Sequence, residues 1–276
     1  MYTTKYHKAS DAANAASILG AAEDGKILAG GQTLVPTMKQ RLAAPTDLID
    51  ISGIDALRGV TVTARKKMGV LKAKDGATIT IGAATTHAEV AGNAELAAVC
   101  PAICGLAGEI GDPAVRHLGT IGGSVANNDP AADYPAALMA LGATITTNER
   151  SISADDFFTG LFSTALNEGE IITEISFQAP AEGGYGKFPS PASRYAMVGV
   201  FAAKSIDGNV RVAVTGAGDD GVFRHAGLET ALASNWSADA VAGVEVSSDG
   251  LMSDIHGNAT YRANLIGVMA KKAVSA

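Results

Sequence analysis

The sequence predicts an α+β fold in three parts, and three observations carry that prediction. Helix and strand signals alternate through the first 56 residues; tight-turn signals join short strands after Gly59; the last third opens on two long strands closed by Asp207-Gly208. The expected layout is a small αβ unit (about 1–56) and a larger mixed α+β unit with antiparallel strands (57–178), together one domain over 1–178. A C-terminal α+β domain, an antiparallel sheet with helices, covers 179–276.

Ser10-Asp11 opens a helix reaching residue 22, with Ile18 and Leu19 on its apolar face and Gly25 just past its end. Ile27-Leu28 is a short strand that delivers the turn Ala29-Gly30-Gly31-Gln32-Thr33-Leu34. Pro36 suits the first turn of a helix over 37–42, and 47–51 is the next strand. Between Gly59 and Ala84 the pattern is strand and hairpin, with Asp75-Gly76 a tight turn before a strand at 77–81. Helices follow around 86–91 and 101–110. After a second glycine-rich turn, 134–141 is short and apolar, and strands fall at 143–147 and 170–177. The stretch 179–186 reads as a boundary. Strands at 197–205 and 210–215 come next, then helices. The last, over 259–274, ends in Lys271-Lys272, as the negative end of a helix dipole favours.

Composition narrows the function. The chain has 276 residues, 47% of them hydrophobic and 5% aromatic, which is enough apolar mass for ordered subdomains with cores of their own. Its net charge of −7 weighs against nucleic acid, because neutralising phosphates needs a basic surface. No apolar run reaches the roughly 18 residues of a membrane span. The N-terminal residues lack the apolar core of a signal peptide, so a cytoplasmic location is expected. The two cysteines, Cys100 and Cys104, are too few to ligate an iron–sulfur cluster, and their spacing suits two small buried residues on one helix face. There is no zinc-type spacing, no Ser/His/Asp arrangement and no paired-carboxylate site, so no catalytic residue and no metal ligand is assigned.

The two glycine-rich turns carry the most chemistry. The second is Thr120-Ile121-Gly122-Gly123-Ser124-Val125-Ala126-Asn127-Asn128, continuing into Asp129-Pro130-Ala131-Ala132-Asp133-Tyr134-Pro135. Without a Cβ, glycine lets backbone N–H groups crowd round an anion, and Thr or Ser hydroxyls add donors. One such turn suits a phosphate; two that converge suit a pyrophosphate. The chain therefore reads as a dinucleotide binder built without a Rossmann unit. Gly216-Ala217-Gly218-Asp219-Asp220-Gly221 is a literal G-x-G-x-x-G but follows a hairpin strand rather than a βαβ strand, and its two aspartates would repel a pyrophosphate. It is read as a polar turn. Asp133 has two readings, an acceptor for ribose or ribityl hydroxyls or the N-cap of a helix at Tyr134.

These motifs resemble the FAD-binding subunits of the xanthine dehydrogenase/molybdenum hydroxylase family, above all the medium subunits of aerobic carbon monoxide dehydrogenases. The resemblance rests on 29–34, on Gly111-Asp112-Pro113 through Ser124, on Asn127, Asp129-Pro130 and 132–135, on Lys187-Phe188, on Pro191-Ala192-Ser193-Arg194-Tyr195 and on Tyr261-Arg262-Ala263-Asn264-Leu265. Gln32 stands where histidine is common and Leu118 where arginine is common. The resemblance implies non-covalent FAD held by Ala29, Gly30, Gly31, Gln32, Thr33 and Leu34 on one side and Thr120, Ile121, Gly122, Gly123, Ser124 and Asn127 on the other. It adds Asp133, Ile172 as an apolar flavin neighbour, Lys187 near the cofactor and Tyr195 against the flavin ring. It also implies an electron-transfer subunit beside a molybdopterin-binding large subunit and a [2Fe-2S] small subunit, in a dimer of heterotrimers, with peripheral contact to a quinone-linked acceptor left open. A stand-alone FAD-dependent oxidase and a non-catalytic nucleotide-binding scaffold are the competing readings.

Overall fold

The computed structural model describes residues 2–275 apart from 64–65, 68–69 and 72–75. It opens with β1 (Lys5–Lys8), α1 (Ala12–Ala21), β2 (Gly25–Leu28), α2 (Leu34–Lys39) and β3 (Asp47–Asp50). Asp11 caps α1 by accepting the Asn14 N–H at 2.8 Å. The three strands form a parallel sheet in the order β1-β3-β2. α2 begins at Leu34 rather than at 37, which puts Pro36 inside its first turn, where no N–H is needed. β1 had no counterpart in the sequence reading.

The middle unit is built on a five-stranded antiparallel sheet in the order β4-β7-β12-β8-β9, from β4 (Val60–Thr63), β7 (Thr78–Gly82), β8 (Thr144–Thr147), β9 (Ser151–Ser153) and β12 (Ile172–Gln178). A small pair, β5 (Lys66–Lys67) and β6 (Val70–Leu71), interrupts the expected hairpin. Asp75 lies outside the described residues, while Gly76 has φ 76°. Six helices follow β7: α3 (His87–Gly92), α4 (Ala94–Val99), α5 (Pro101–Gly108), α6 (Pro113–Leu118), α7 (Ile121–Asn127) and α8 (Tyr134–Leu141). Then α9 (Ala154–Phe157) and the short pair β10 (Phe158–Gly160) and β11 (Ser163–Thr164) lead to β12. α7 is a correction: the second glycine run is helix, not turn. Cys104 lies in α5 and Cys100 at the α4–α5 junction, so they do not share one helix face, though both are buried as expected. Burial pushes their thiols up to about 11 and about 12.

The C-terminal sheet runs β13-β14-β15-β16, from β13 (Glu182–Pro189), β14 (Ala196–Lys204), β15 (Val210–Thr215) and β16 (Phe223–Arg224), all antiparallel. The expected boundary at 179–186 is thus mostly strand. Residues of β14 serve two cores in alternation. Phe201 and Ala203 join Tyr185 and Ala213 against the middle unit, whereas Val198, Val200 and Ala202 face α10 (Ala226–Ser234), α11 (Ala238–Ala242) and α12 (Ala259–Val274). Burying Phe201 fully contributes about 2 kcal/mol or more to holding the sheet on α8. Arg262 of the resemblance motif is a buried tie: it donates to the carbonyls of Met197 (2.7 Å) and Gly216 (2.6 Å) and pairs with Asp254.

Candidate cofactor site

The two glycine segments meet in space. β2 ends at Leu28 and delivers Gly30 against the backbone leading into α7: a Cβ on Gly30 would lie 2.2 Å from Leu118 O and 2.6 Å from Gly119 Cα. Only glycine permits that approach. Gly31 follows with φ 66°, in the left-handed region. Among the described residues, the N–H groups of Gly30, Gly31, Gln32 and Thr33 find no acceptor. Thr33 stands at the N-cap of α2 but makes no capping bond with its side chain. Four unsatisfied donors in succession, half of them at glycines, form a concavity suited to an anion.

The second segment is organised differently. The Ile121 N–H donates to Thr85 O (3.0 Å) and that of Gly122 to Ala83 O (2.9 Å). Gly123 N–H donates to Thr120 Oγ1 at 3.1 Å, the N-cap bond of α7. These donors are therefore engaged within the protein, against the expectation that the second turn offers backbone N–H groups. A Cβ on Gly122 would meet Ala83 Cβ at 2.6 Å and Ala83 O at 2.7 Å, so this glycine lets α7 seat on the end of β7. α7 meets the first segment at Gly123, whose added Cβ would lie 4.0 Å from Ala29 Cβ, and the half-buried Ser124 and Asn127 border the same cleft as that segment. Neither of those side chains has a hydrogen-bond partner among the described residues. Ile121 is fully buried in the main core and presents no surface to a ligand.

Both segments line one cleft of about 850 Å³, near the upper end of the roughly 300–1,000 Å³ usual for cofactor sites. Ala29 through Leu34, Thr120, Gly122, Gly123, Ser124, Asn127, Asp133, Ile172 and Tyr195 all border it. Ile172, at the start of β12, is buried apart from that face, and Tyr195, 45% exposed, stands just before β14. The run 216–221 does not border it.

Asp133 is at the N-cap position of α8 but forms no cap bond. Its carboxylate instead accepts from Tyr185 Oη at 2.5 Å and lies 2.8 Å from Lys187 Nζ. Burial pushes its pKa up, and Lys187 opposes the shift. Lys187 is 3% exposed and also donates to Glu109 O at 3.1 Å, so it stands behind Asp133 and off the cleft surface.

A third wall was not foreseen. Residues 166–171 border the cleft and are pinned by Glu170, whose buried carboxylate accepts from Arg150 Nε and Nη2 (3.0 Å each), Thr147 Oγ1 (2.7 Å) and the Asn167 N–H (2.7 Å). Arg150 and these other donors hold its pKa down to about 2. His87 carries no sequence motif that would single it out, yet it borders the cleft and is only 5% exposed. No local pattern marks either feature. Among the described residues there is no cluster of metal-ligating side chains, and no helix is long and apolar enough to cross a membrane.

The residues present fit a flavin dinucleotide: free backbone donors, hydroxyl and amide side chains, an apolar residue and an aromatic ring all border one cleft. Residues 2–179 match the family described as the FAD binding domain in molybdopterin dehydrogenase. The chain is 31% identical to the carbon monoxide dehydrogenase medium chain of Hydrogenophaga pseudoflava, covering 99% of this chain and 96% of that protein. It is also 31% identical to the nicotine 6-hydroxylase medium subunit of Paenarthrobacter nicotinovorans, over 98% and 95% of the two. A solved carbon monoxide dehydrogenase from H. pseudoflava superposes with a TM-score of 0.81 at 31% identity, over 99% of this chain and 96% of that one. The family resemblance, the α+β fold class, the oxidoreductase assignment and FAD as cofactor are all borne out. This chain belongs to the FAD-binding family of molybdopterin dehydrogenases and is an FAD-binding oxidoreductase subunit like the medium chains of carbon monoxide dehydrogenase.

Proposed function

We propose that this chain is the electron-transfer subunit of a molybdenum hydroxylase complex, standing between a [2Fe-2S] subunit and an external acceptor, with a molybdopterin-binding large subunit that selects the substrate. We favour carbon monoxide as the substrate of that assembly and a dimer of heterotrimers as its form. The observation that carries the reading is the convergence of Gly30 on Leu118-Gly119, with four free N–H donors and the side chains of Ser124 and Asn127 bordering one cleft. When bound, the flavin supplies a centre that takes electrons singly and releases them in pairs.

Each residue has a part in holding it. The N–H groups of Gly30 to Thr33, with Ser124 and Asn127, bind the pyrophosphate. Ile172 and Tyr195 border the isoalloxazine and shield it from water. Asp133, held by Tyr185 and Lys187, offers its remaining lone pairs to the ribityl or ribose hydroxyls, and Lys187 acts through it. Among the described residues that border the cleft, we assign no acid–base pair for substrate turnover.

Purification of the chain with its co-expressed partners tests this. Yellow protein that releases its flavin into the supernatant on acid precipitation, and that bleaches with substrate only when the partners are present, supports the proposal. Bleaching of the isolated chain by a small substrate would move it to the oxidase reading, and flavin that never cycles in the complex would make it a scaffold.

A further inference from the structure

His87 opens α3, and its backbone N–H donates to Gly119 O at 2.8 Å. Its ring is wedged between two surfaces. On one side lies Tyr134, with ring centroids 5.5 Å apart. On the other lies Gly119, where an added Cβ would be 2.7 Å from His87 Nε2. Gly119 is also the residue whose Cα comes within 2.6 Å of a Cβ placed on Gly30. The Nε2 edge of the imidazole therefore reaches the seam where the two glycine segments touch.

The two ring nitrogens differ. Nδ1 is sealed from solvent and has no hydrogen-bond partner among the described residues. Nε2 also has no protein partner among the described residues but, unlike Nδ1, is not sealed, and His87 borders the cleft. A buried N–H without an acceptor is rarer and costlier than a buried acceptor without a donor. The proton of the neutral ring therefore sits on Nε2, which makes that atom a donor aimed at the seam. Burial, with Arg116 nearby, holds the pKa down to about 4, so the ring is neutral at physiological pH. Arg116 keeps its own guanidinium on the carbonyls of Ile110 (2.9 Å) and Gly111 (3.1 Å), adding positive potential beside the seam without occupying it.

We propose that His87 is a cofactor-binding residue that donates its Nε2–H to a pyrophosphate oxygen of the bound FAD. A neutral donor suits this position, since it bonds an anionic oxygen without the desolvation cost of a buried cation. It also supplies the second segment with the donor that its own engaged N–H groups do not. The proposal rests on the flavin reading above.

The test uses the full chain with FAD as the probe. FAD is titrated by its fluorescence quenching into wild type, His87→Phe and His87→Gln, and the ³¹P spectrum of the bound cofactor is recorded for each. Loss of one hydrogen bond to a charged oxygen should raise the Kd of His87→Phe about tenfold or more and shift a pyrophosphate resonance. His87→Gln, whose amide nitrogen reaches close to the position of Nε2, should recover most of both. Wild type that binds FAD while His87→Phe shows the same Kd and the same ³¹P spectrum would overturn the proposal alone. Wild type that fails to bind FAD would overturn the flavin reading itself. Should His87→Phe not fold, ¹⁵N spectra of histidine-labelled wild type decide the matter: a protonated Nε2 whose proton moves downfield on adding FAD supports the bond, and an unmoved resonance removes it.

Discussion

At Gly31 the backbone is left-handed, and the N–H groups from Gly30 to Thr33 have no acceptor among the described residues; at Gly122 the backbone is helical and the N–H is 2.9 Å from a carbonyl of the neighbouring strand end. Both segments read as glycine-rich anion turns, and both border the same cleft. The difference lies in what the missing Cβ makes room for. At 30–33 it leaves donors open to a ligand. At 122 it lets a helix sit on Ala83, and the donors are consumed in doing so. A glycine pair thus signals close approach, and only the count of satisfied donors says whether a ligand or the protein itself is what approaches.

The largest expected effect follows from Gly122. In Gly122→Val the side chain would meet Ala83 backbone and Cβ, which have no flexible end to yield. Such overpacking should cost about 3 kcal/mol or more, which in a chain of this size lowers Tm by roughly 6–12 °C. Thermal unfolding of the flavin-free protein measures it directly. A variant with wild-type Tm and no flavin would show that Gly122 faces the ligand after all, and the contrast between the segments would fail.

His87, at the seam between them, should give the next largest effect, as a pH dependence. Its folded pKa is about 4, below the roughly 6.5 of an unfolded histidine. As pH falls from 6.5 to 4, the unfolded chain takes up the proton while the folded one does not, so stability is lost across that window. The loss amounts to about 3 kcal/mol, complete by about pH 4. Carboxylates titrate there too, so the difference between wild type and His87→Phe isolates the contribution of the imidazole. Denaturant unfolding at pH 7 and pH 4.5 should show a smaller acid loss in the variant; an equal loss would mean that His87 titrates normally.

How much of this was readable from the sequence depended on whether the local pattern and the tertiary contacts agreed. β15 and α12 fall at 210–215 and 259–274, as their alternation, helix signals and terminal lysines indicate. Much of β13 lies in the 179–186 stretch that reads as a boundary, and Gly183, Gly184 and Gly186 weaken any strand pattern there. Gly184 and Gly186 are there because α12 lies directly on the strand: a Cβ on Gly184 would sit 1.8 Å from Ala273 O, and one on Gly186 2.2 Å from Met269 O. α7 was hidden in the same way, since Gly-Gly disfavours a helix in isolation, and what holds it is Thr120 as cap and Ile121 and Val125 in the core. In the site, Asp133 was legible and its partner Tyr185, 52 residues distant, was not. Pairing across that distance leaves no local trace.

Gly31→Ala probes the free-donor side of the comparison. The left-handed φ of 66° costs a non-glycine residue about 1 kcal/mol, while the neighbours an added Cβ would meet, Leu28 and Val35 side chains at 3.0 and 3.1 Å, are able to give. The fold should survive with a Tm only about 2–4 °C lower. Relief of the strain turns the N–H groups of 31 and 32 away from the ligand, so FAD affinity should fall about tenfold, equivalent to about 1.4 kcal/mol. Unchanged affinity would mean that those free donors hold nothing.

The smallest effect on stability is expected at Tyr195, which belongs to neither glycine segment and so tests what is left when both are intact. Its side chain is 45% exposed, and its backbone bonds, including Ser190 N–H to Tyr195 O at 2.8 Å, do not involve the ring. Tyr195→Ala should therefore change unfolding free energy by no more than about 0.5 kcal/mol. FAD should remain bound, because the residues assigned to the pyrophosphate, Gly30 to Thr33 with Ser124 and Asn127, are left intact. If the ring stacks on the isoalloxazine, removing it opens that face to water, and the visible absorption and midpoint potential of the bound flavin must both move. A tyrosine that only edges the sheet would leave both unchanged. Absorbance and redox titration of purified Tyr195→Ala separate the two, and an unaltered spectrum with an unaltered potential would take Tyr195 out of the site while leaving the glycine segments as its anchor.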